Sequence, residues 1–409
     1  MPSDRFLQTL EQDLAALDAR GNPKRHEKVI VDVVPARGGF GPRYRLAGEG
    51  ERDFLKMNSN NYLGMNLRRE VIEAEEAASR KYGAGPGAVR FISGSYAPHV
   101  ELEGALAAFH GREAALIFSA AYAAMIGVFT PLVTAETAIV SDELNHNCII
   151  NAIKLARPKE KRVWKHNDVA DCEAKVAEVA AAGCRRALLI TDGIFSMRGD
   201  HAPLPEILAA ARRHDAAFAE NAVVIVDDSH GVAAFGATGR GTEEATGAGA
   251  SDVLIGTLGK ALGVNGGYVV GARALIDYLR ESSPTYIYSN PITPAEAAAA
   301  RRALAIVDSA EGRQLLAHLA TMTRRFRDGL VRLGFETLPG GHPVVPLLVR
   351  DTPRTTALVR HLAAHGVLAT GLNYPVVPKG DETIRFQVSA DHTAADIDQV
   401  LDVLAAFRG

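Results

Sequence analysis

From about residue 100 to 270, short runs of apolar residues alternate with stretches whose apolar positions recur at helical spacing. The runs at 115–118, 138–141, 162–165, 187–192, 222–228, 252–257 and 268–270 are short and rich in β-branched residues, which marks them as strands. The segments 122–132, 148–156, 169–182 and 204–214 read as helices between them. Strands that are apolar along both faces must be covered on both sides. The alternation therefore predicts an α/β fold, a mostly parallel seven-stranded sheet flanked by helices. After Pro291 the pattern changes to one long helix, followed by strands near 344–349 and 383–388 with helices between, a smaller α+β C-terminal domain. The Gly/Pro-rich stretch 338–343 reads as a turn inside it. At the other end, Leu7, Leu10, Leu14 and Leu17 recur along 1–20 behind a Ser3-Asp4 cap, an amphipathic helix that packs on a core or a partner subunit. The expected division is an N-terminal helix and arm over 1–55, a large domain over 56–288 and a small domain over 289–409.

Composition narrows the function classes. The chain has 409 residues, 47% hydrophobic and 23% charged, with a net charge of -3, which speaks against a nucleic-acid footprint or a membrane-surface patch. No apolar run approaches the length of a membrane span, and 1–20 lacks the pattern of a secretory signal. The three cysteines, Cys148, Cys172 and Cys184, have no metal-ligand spacing. A disulfide scaffold and a metal site are not expected, and a reducing cytoplasm is.

Ligands of parallel sheets bind at the carboxyl ends of strands, which directs attention to the polar residues just after the apolar runs. Lys260 is the only lysine between Lys175 and Lys379, in a region rich in arginine. It follows the strand at 252–257 within Gly-Thr-Leu-Gly-Lys260-Ala-Leu-Gly, where glycines let a cofactor approach the backbone. An amine, unlike a guanidinium, forms a Schiff base with a carbonyl cofactor; for a lone lysine the alternative is a surface residue in a Gly-rich loop. Its neighbours decide between these. Asp227 ends a buried strand, where a carboxylate is costly unless it is paired or functional. It matches the acid that holds a pyridoxal ring nitrogen protonated, and His230 is within reach of the phenolic oxygen. Asp228 should point to the opposite face as a structural acid. His146 either stacks on the pyridine ring or starts a helix bonded to backbone. The segment Ser119-Ala-Ala-Tyr122 opens a helix after a strand, so its free amides suit a phosphate. Ser196 follows another strand as a second hydroxyl near the site or as a bystander. The segment Gly83-Ala-Gly-Pro-Gly87 follows a helix-like stretch, so it is a loop near the site and not a dinucleotide fingerprint.

The stretches Asn60-Asn-Tyr-Leu-Gly64, Ala88-Val-Arg90-Phe, His99-Val-Glu-Leu-Glu103, Asp192-Gly-Ile-Phe-Ser-Met197, Val226-Asp-Asp-Ser-His-Gly231 and Gly256-Thr-Leu-Gly-Lys-Ala-Leu-Gly263 together resemble the α-oxoamine synthases. The resemblance runs from about residue 50 to the C-terminus. It implies a fold-type-I transferase dependent on pyridoxal 5'-phosphate (PLP), condensing an amino acid with an acyl-CoA. The segments 370–380 and 385–393 look most like the branch of 2-amino-3-ketobutyrate CoA ligase (glycine C-acetyltransferase). It further implies that Lys260, Asp227, His230 and His146 are catalytic. The amides of Ala121 and Tyr122, with Thr257, would take the phosphate, and Ser196 would sit by the cofactor. Ser289 and Asn290 would reach the partner subunit's cofactor, so that a homodimer shares its active sites. Asn60 and Arg385 would hold the substrate carboxylate, a task for planar bidentate donors. Met125, Arg198 and Asn373 depart from the family pattern at positions expected near the substrates. An aldolase or aminotransferase on the same fold is the competing enzyme class. A non-catalytic partner-binding module conflicts with the intact Lys, Asp and His set.

Overall fold

The computed structural model describes residues 3–19, 25, 27–374 and 377–408. Met1, Pro2 and Arg20 of the predicted N-terminal helix, and Pro375 and Val376 of the 370–380 motif, lie outside the described residues.

Seven strands form the main sheet: β1 (Ala114–Phe118), β2 (Thr137–Asp142), β3 (Glu160–Trp164), β4 (Arg186–Asp192), β5 (Ala222–Asp227), β6 (Val253–Thr257) and β7 (Gly267–Gly271). Their order is β1-β7-β6-β5-β4-β2-β3. The pairs β2·β3, β2·β4, β4·β5 and β5·β6 are parallel, and β7 alone runs antiparallel to its neighbours β6 and β1. Every residue of β1, β2 and β7 is buried, as two-sided helix cover requires. The predicted strands thus stand within a residue or two of those observed. Two apolar layers sandwich the centre of the sheet: Leu188, Ile190, Ile225 and Ile255 face one, Leu189, Val224 and Val226 the other.

The C-terminal part carries an antiparallel sheet of β8 (Glu336–Thr337), β9 (Val344–Leu348), β10 (Thr370–Leu372) and β11 (Thr383–Gln387), in the order β8-β9-β11-β10. The stretch 338–343 is the connection between β8 and β9. The single long helix expected after Pro291 is two helices, Pro294–Val307 and Ala310–Arg332. The break lies at Asp308-Ser309, where the Ser309 hydroxyl accepts from Gly312 N at 3.2 Å and restarts the chain as a new N-cap. The N-terminal helix, Asp4–Ala19, buries none of its residues, so it does not pack on this chain's own core. Among the described residues no helix is long and apolar enough to cross a membrane.

Ion pairs secure the loops at the carboxyl ends of the strands. His166, just past β3, bridges Asp142 of β2 and Asp200 at 3.1 Å each and stands edge-on to Phe195. Burial alone would lower its pKa, but the hydrogen bonds and charges of the two carboxylates outweigh it and lift the value to about 9. An unfolded histidine titrates near 6.5. The pairing therefore stabilises the fold fully below about pH 6.5, and that contribution is lost as pH rises through about 9. Denaturant unfolding of the wild type and of His166→Asn is expected to differ by on the order of 2 kcal/mol at pH 6, shrinking toward zero by pH 10. A difference independent of pH would refute the charged bridge.

Candidate active site

A cavity of about 190 Å³ opens at the carboxyl ends of β4, β5 and β6. Its lining includes Ala121, Tyr122, His146, Ser196, Asp227, His230, Thr257 and Lys260, eight of the positions singled out in the sequence. A larger cavity of about 790 Å³ lies at the opposite, amino end of the sheet, beside Arg186, Ala222 and Val253. Its acids are already partnered, Asp252 by Val224 N, Asp215 by Ala222 N and Glu220 by Arg186, so it holds no converging chemistry.

Each side chain in the smaller cavity is placed by its element. Asp227 is the last residue of β5, with Oδ1 accepting from Ser229 N at 3.1 Å and Oδ2 lying 3.6 Å from Cys148 Sγ. Asp228, one step on, turns the other way as alternation predicts. Fully buried, it accepts from Thr242 N at 2.7 Å and Thr242 Oγ1 at 2.6 Å. Gly193, Gly231 and Gly241 crowd this carboxylate, and a Cβ on any of them would come within 1.9–2.3 Å of it. Asp228 is a structural acid, with burial pushing its pKa to about 7.

His146 is the N-cap of the helix Asn147–Ala156, its Nδ1 accepting from Cys148 N at 3.2 Å. The backbone-bonded helix start and the cavity-lining ring are therefore one residue. Its remaining proton sits on Nε2 when neutral, and burial favours that state against the pull of Asp227. His230 is held neutral by burial and then by the positive charge of Lys260. Burial lowers the Lys260 pKa, opposed by Asp227 and Asp192. A lowered amine pKa is the direction that a proton-transfer base requires. Thr257 Oγ1 accepts from Gly259 N at 3.2 Å and donates to Gly266 O at 3.1 Å. The helix Ala121–Leu132 begins at the cavity wall, and a Cβ on Gly267 would come within 2.2 Å of Ala121 N, so only a bare backbone fits behind that amide.

Sequence reasoning did not single out Asp192, Cys148, Ser229, Tyr62 or Gln387. Asp192 pairs with Asp227 in the strand register and lines the cavity. Burial, then the Asp227 charge, holds its carboxyl well above the usual range. The signal was present, since the run 187–192 ends in an acid as the β5 run does.

Other expected residues lie elsewhere. Ser289 is half-buried and Asn290 exposed, and neither lines this chain's cavity. Residues 83–87 do not line it either. Met125 is fully buried in the core beside Val128 and Phe129, because its position on the helix faces the sheet, and it does not line the cavity. Arg198 pairs with Asp200 at 2.8 Å and lines a separate cavity of about 320 Å³ that shares Ser196 with the first. Asn373 donates to Thr356 at 3.2 Å in the small domain. Asn60 Oδ1 accepts from Gln387 Nε2. Arg385, on β11, donates to Ser196 O at 3.2 Å, while its Nε is buried without a partner.

These groups fit PLP and an anionic amino acid. The Ser229 hydroxyl is also buried without a partner at the cavity wall, as is expected of a polar atom that awaits a ligand. Comparisons with known proteins agree. The family model for aminotransferase class I and II matches residues 52–404. The chain is 41% identical to the 8-amino-7-oxononanoate synthase of Thermosipho melanesiensis, over 85% of this chain and 86% of that one. It is 38% identical to the mitochondrial 2-amino-3-ketobutyrate coenzyme A ligase of Bos taurus, over 96% and 90%. A serine palmitoyltransferase from S. paucimobilis, solved with PLP and myriocin bound, superposes with a TM-score of 0.87 at 26% identity, covering 98% of this chain and 97% of that one. The chain belongs to the aminotransferase class I and II family and, within it, to the α-oxoamine synthases, PLP-dependent C-acyltransferases of fold type I.

Proposed function

We propose that this enzyme condenses glycine or another small amino acid with an acyl-CoA thioester. The α-carbon attacks the thioester carbonyl, the C–S bond breaks and coenzyme A leaves. The product is an α-amino ketone, formed with or without loss of the carboxylate. The observation that carries this reading is the convergence of the Lys260 amine, Asp227, His146 and His230 on one cavity, next to a half-buried Arg385 whose buried Nε is unpaired. PLP, when bound, supplies an aldehyde that captures amines and a ring that draws electrons from an adjacent carbanion. The chain's residues do the rest. Asp227 holds a proton at the ring nitrogen. His146 covers the ring face, and His230 donates to the phenolic oxygen. The amides of Ala121 and Tyr122, with Thr257, hold the phosphate, and Ser196 lies alongside. Asn60 and Arg385 orient the substrate carboxylate, and Lys260 removes and returns the α-proton.

The active enzyme is proposed to be a homodimer in which Ser289 and Asn290 serve the partner's cofactor. Two features support this. Neither residue reaches its own chain's cavity, and apolar side chains such as Phe91 and Ile92 are exposed at 67% and 68%. The proposed division is 1–55 as helix and arm, 56–288 as the PLP-binding domain and 289–409 as the small domain. A cytoplasmic location is proposed from the three free, buried thiols.

Release of free thiol on mixing amino acid with acyl-CoA tests the reaction, screened over small amino acids and acyl chains of increasing length. Arg385→Ala is expected to raise the amino-acid KM about 10–100-fold, the worth of a charge-assisted hydrogen bond. Arg198→Asp reports whether the cavity beyond Ser196 selects the acyl chain. Amino-group transfer or aldol cleavage without thiol release would favour the competing enzyme class.

A further inference from the structure

Tyr62 is a buried residue beside His230 and Asn60 that the roles above leave unused. Tyr62 is fully buried, and its Oη lies 2.7 Å from His230 Nδ1 and 3.4 Å from Asn60 Oδ1. Burial raises the Tyr62 pKa, against the opposing pull of Arg385 and Gln387, so the phenol keeps one proton to give. Asn60 Oδ1 already accepts from Gln387 Nε2, and the contact to His230 is the shorter. Tyr62 therefore donates to His230 Nδ1, and the proton of the neutral imidazole lies on Nε2.

A second contact fixes the backbone of the same residue. His342, on the β8–β9 connection, donates from Nε2 to the carbonyl of His230 at 2.8 Å and accepts at Nδ1 from Val344 N at 3.1 Å. It also stands edge-on to the Tyr62 ring, with centroids 5.4 Å apart. Tyr62 touches the His230 ring, the charges of Lys260, His342, Arg385 and His146 disfavour its imidazolium, and the carboxyls of Asp227 and Asp192 line the same cavity.

The geometry points to Tyr62 as a positioning residue that holds His230 in the Nε2–H tautomer, a donor for the cofactor's phenolic oxygen. The inference rests on the reading that places His230 at the cofactor.

Nitrogen-15 NMR of the holoenzyme labelled at histidine tests it, with the His230 signals assigned by their loss in His230→Gln. Wild-type His230 is expected as the Nε2–H tautomer with Nδ1 accepting. Tyr62→Phe, which keeps the ring and drops the hydroxyl, is expected to mix the tautomers, to shift the bound cofactor's absorbance and to lower kcat about tenfold, the worth of one hydrogen bond. Wild-type His230 found as Nδ1–H overturns the inference whether or not the variant folds. A folded Tyr62→Phe enzyme with unchanged tautomer and spectrum overturns it too. An unaltered cofactor spectrum in His230→Gln would instead remove His230 from the cofactor and leave the Tyr62 tautomer result standing.

Discussion

Replacing Lys260 with alanine is expected to abolish turnover and the visible absorbance of the bound cofactor together. Lys260 follows β6 at the cavity wall, where burial lowers its pKa and Asp227 and Asp192 hold it part of the way back. Loss of a positioned proton-transfer group alone costs about 10²–10⁴-fold in rate. Loss of the covalent anchor adds to that. No other lysine lies between Lys175 and Lys379, so no sequence neighbour can substitute. Lys260→Arg is expected to be as inactive as Lys260→Ala, because a guanidinium does not give up its proton near neutral pH. Thiol release and an absorbance scan of purified wild type and both variants check this. A Lys260→Ala enzyme that kept both signals would end the reading of Lys260 as anchor and base.

Much of this site was legible because its residues announce themselves locally. Asp227, His230 and Lys260 each follow an apolar run, and the rule that ligands sit at the carboxyl ends of strands needs no tertiary knowledge. His146 shows a different limit: the fold makes it the helix start, and the same residue also lines the cavity, which its sequence position alone does not reveal. Tyr62 and Gln387 were hidden because their roles exist only across long separations, 168 residues from Tyr62 to His230 and 327 from Asn60 to Gln387. Met125 shows that a position in a motif does not say which way a helix turns, for its side chain packs in the core. The break between the helices Pro294–Val307 and Ala310–Arg332 rests on one serine cap inside a continuous helical pattern, where periodicity dominates and capping is easily overlooked. The N-terminal helix carries the expected apolar stripe, and its Leu7, Leu10, Leu14 and Leu17 are exposed among the described residues.

Asp227→Asn should lower turnover by about 10²–10³-fold, the usual effect of removing one preorganised electrostatic contact. Asparagine keeps the size of the side chain and can still accept from Ser229 N, so the loss isolates the charge. The pairing with Asp192 makes the prediction sharper. Asp192 is held well above its usual range by burial first and by the Asp227 charge second. Removing that charge lowers the Asp192 pKa and so favours its carboxylate at the mouth of the adjacent strand. The displaced carboxylate then compensates in part, supporting the Lys260 ammonium and offering a second, misplaced acid to the ring. Asp192→Asn alone is expected to cost less than about tenfold, because burial and the Asp227 charge already disfavour its ionised form and an amide keeps its shape. The double variant is expected to lose more than the product of the two single losses, the signature of coupled sites in a mutant cycle. The four enzymes should be compared by thiol release across pH, with the cofactor's absorbance recorded in parallel. An Asp227→Asn enzyme within about threefold of wild type, well inside the 10²-fold floor expected of such a contact, would remove Asp227 from the ring nitrogen. Strict multiplicativity in the cycle would show instead that Asp192 takes no share of the charge.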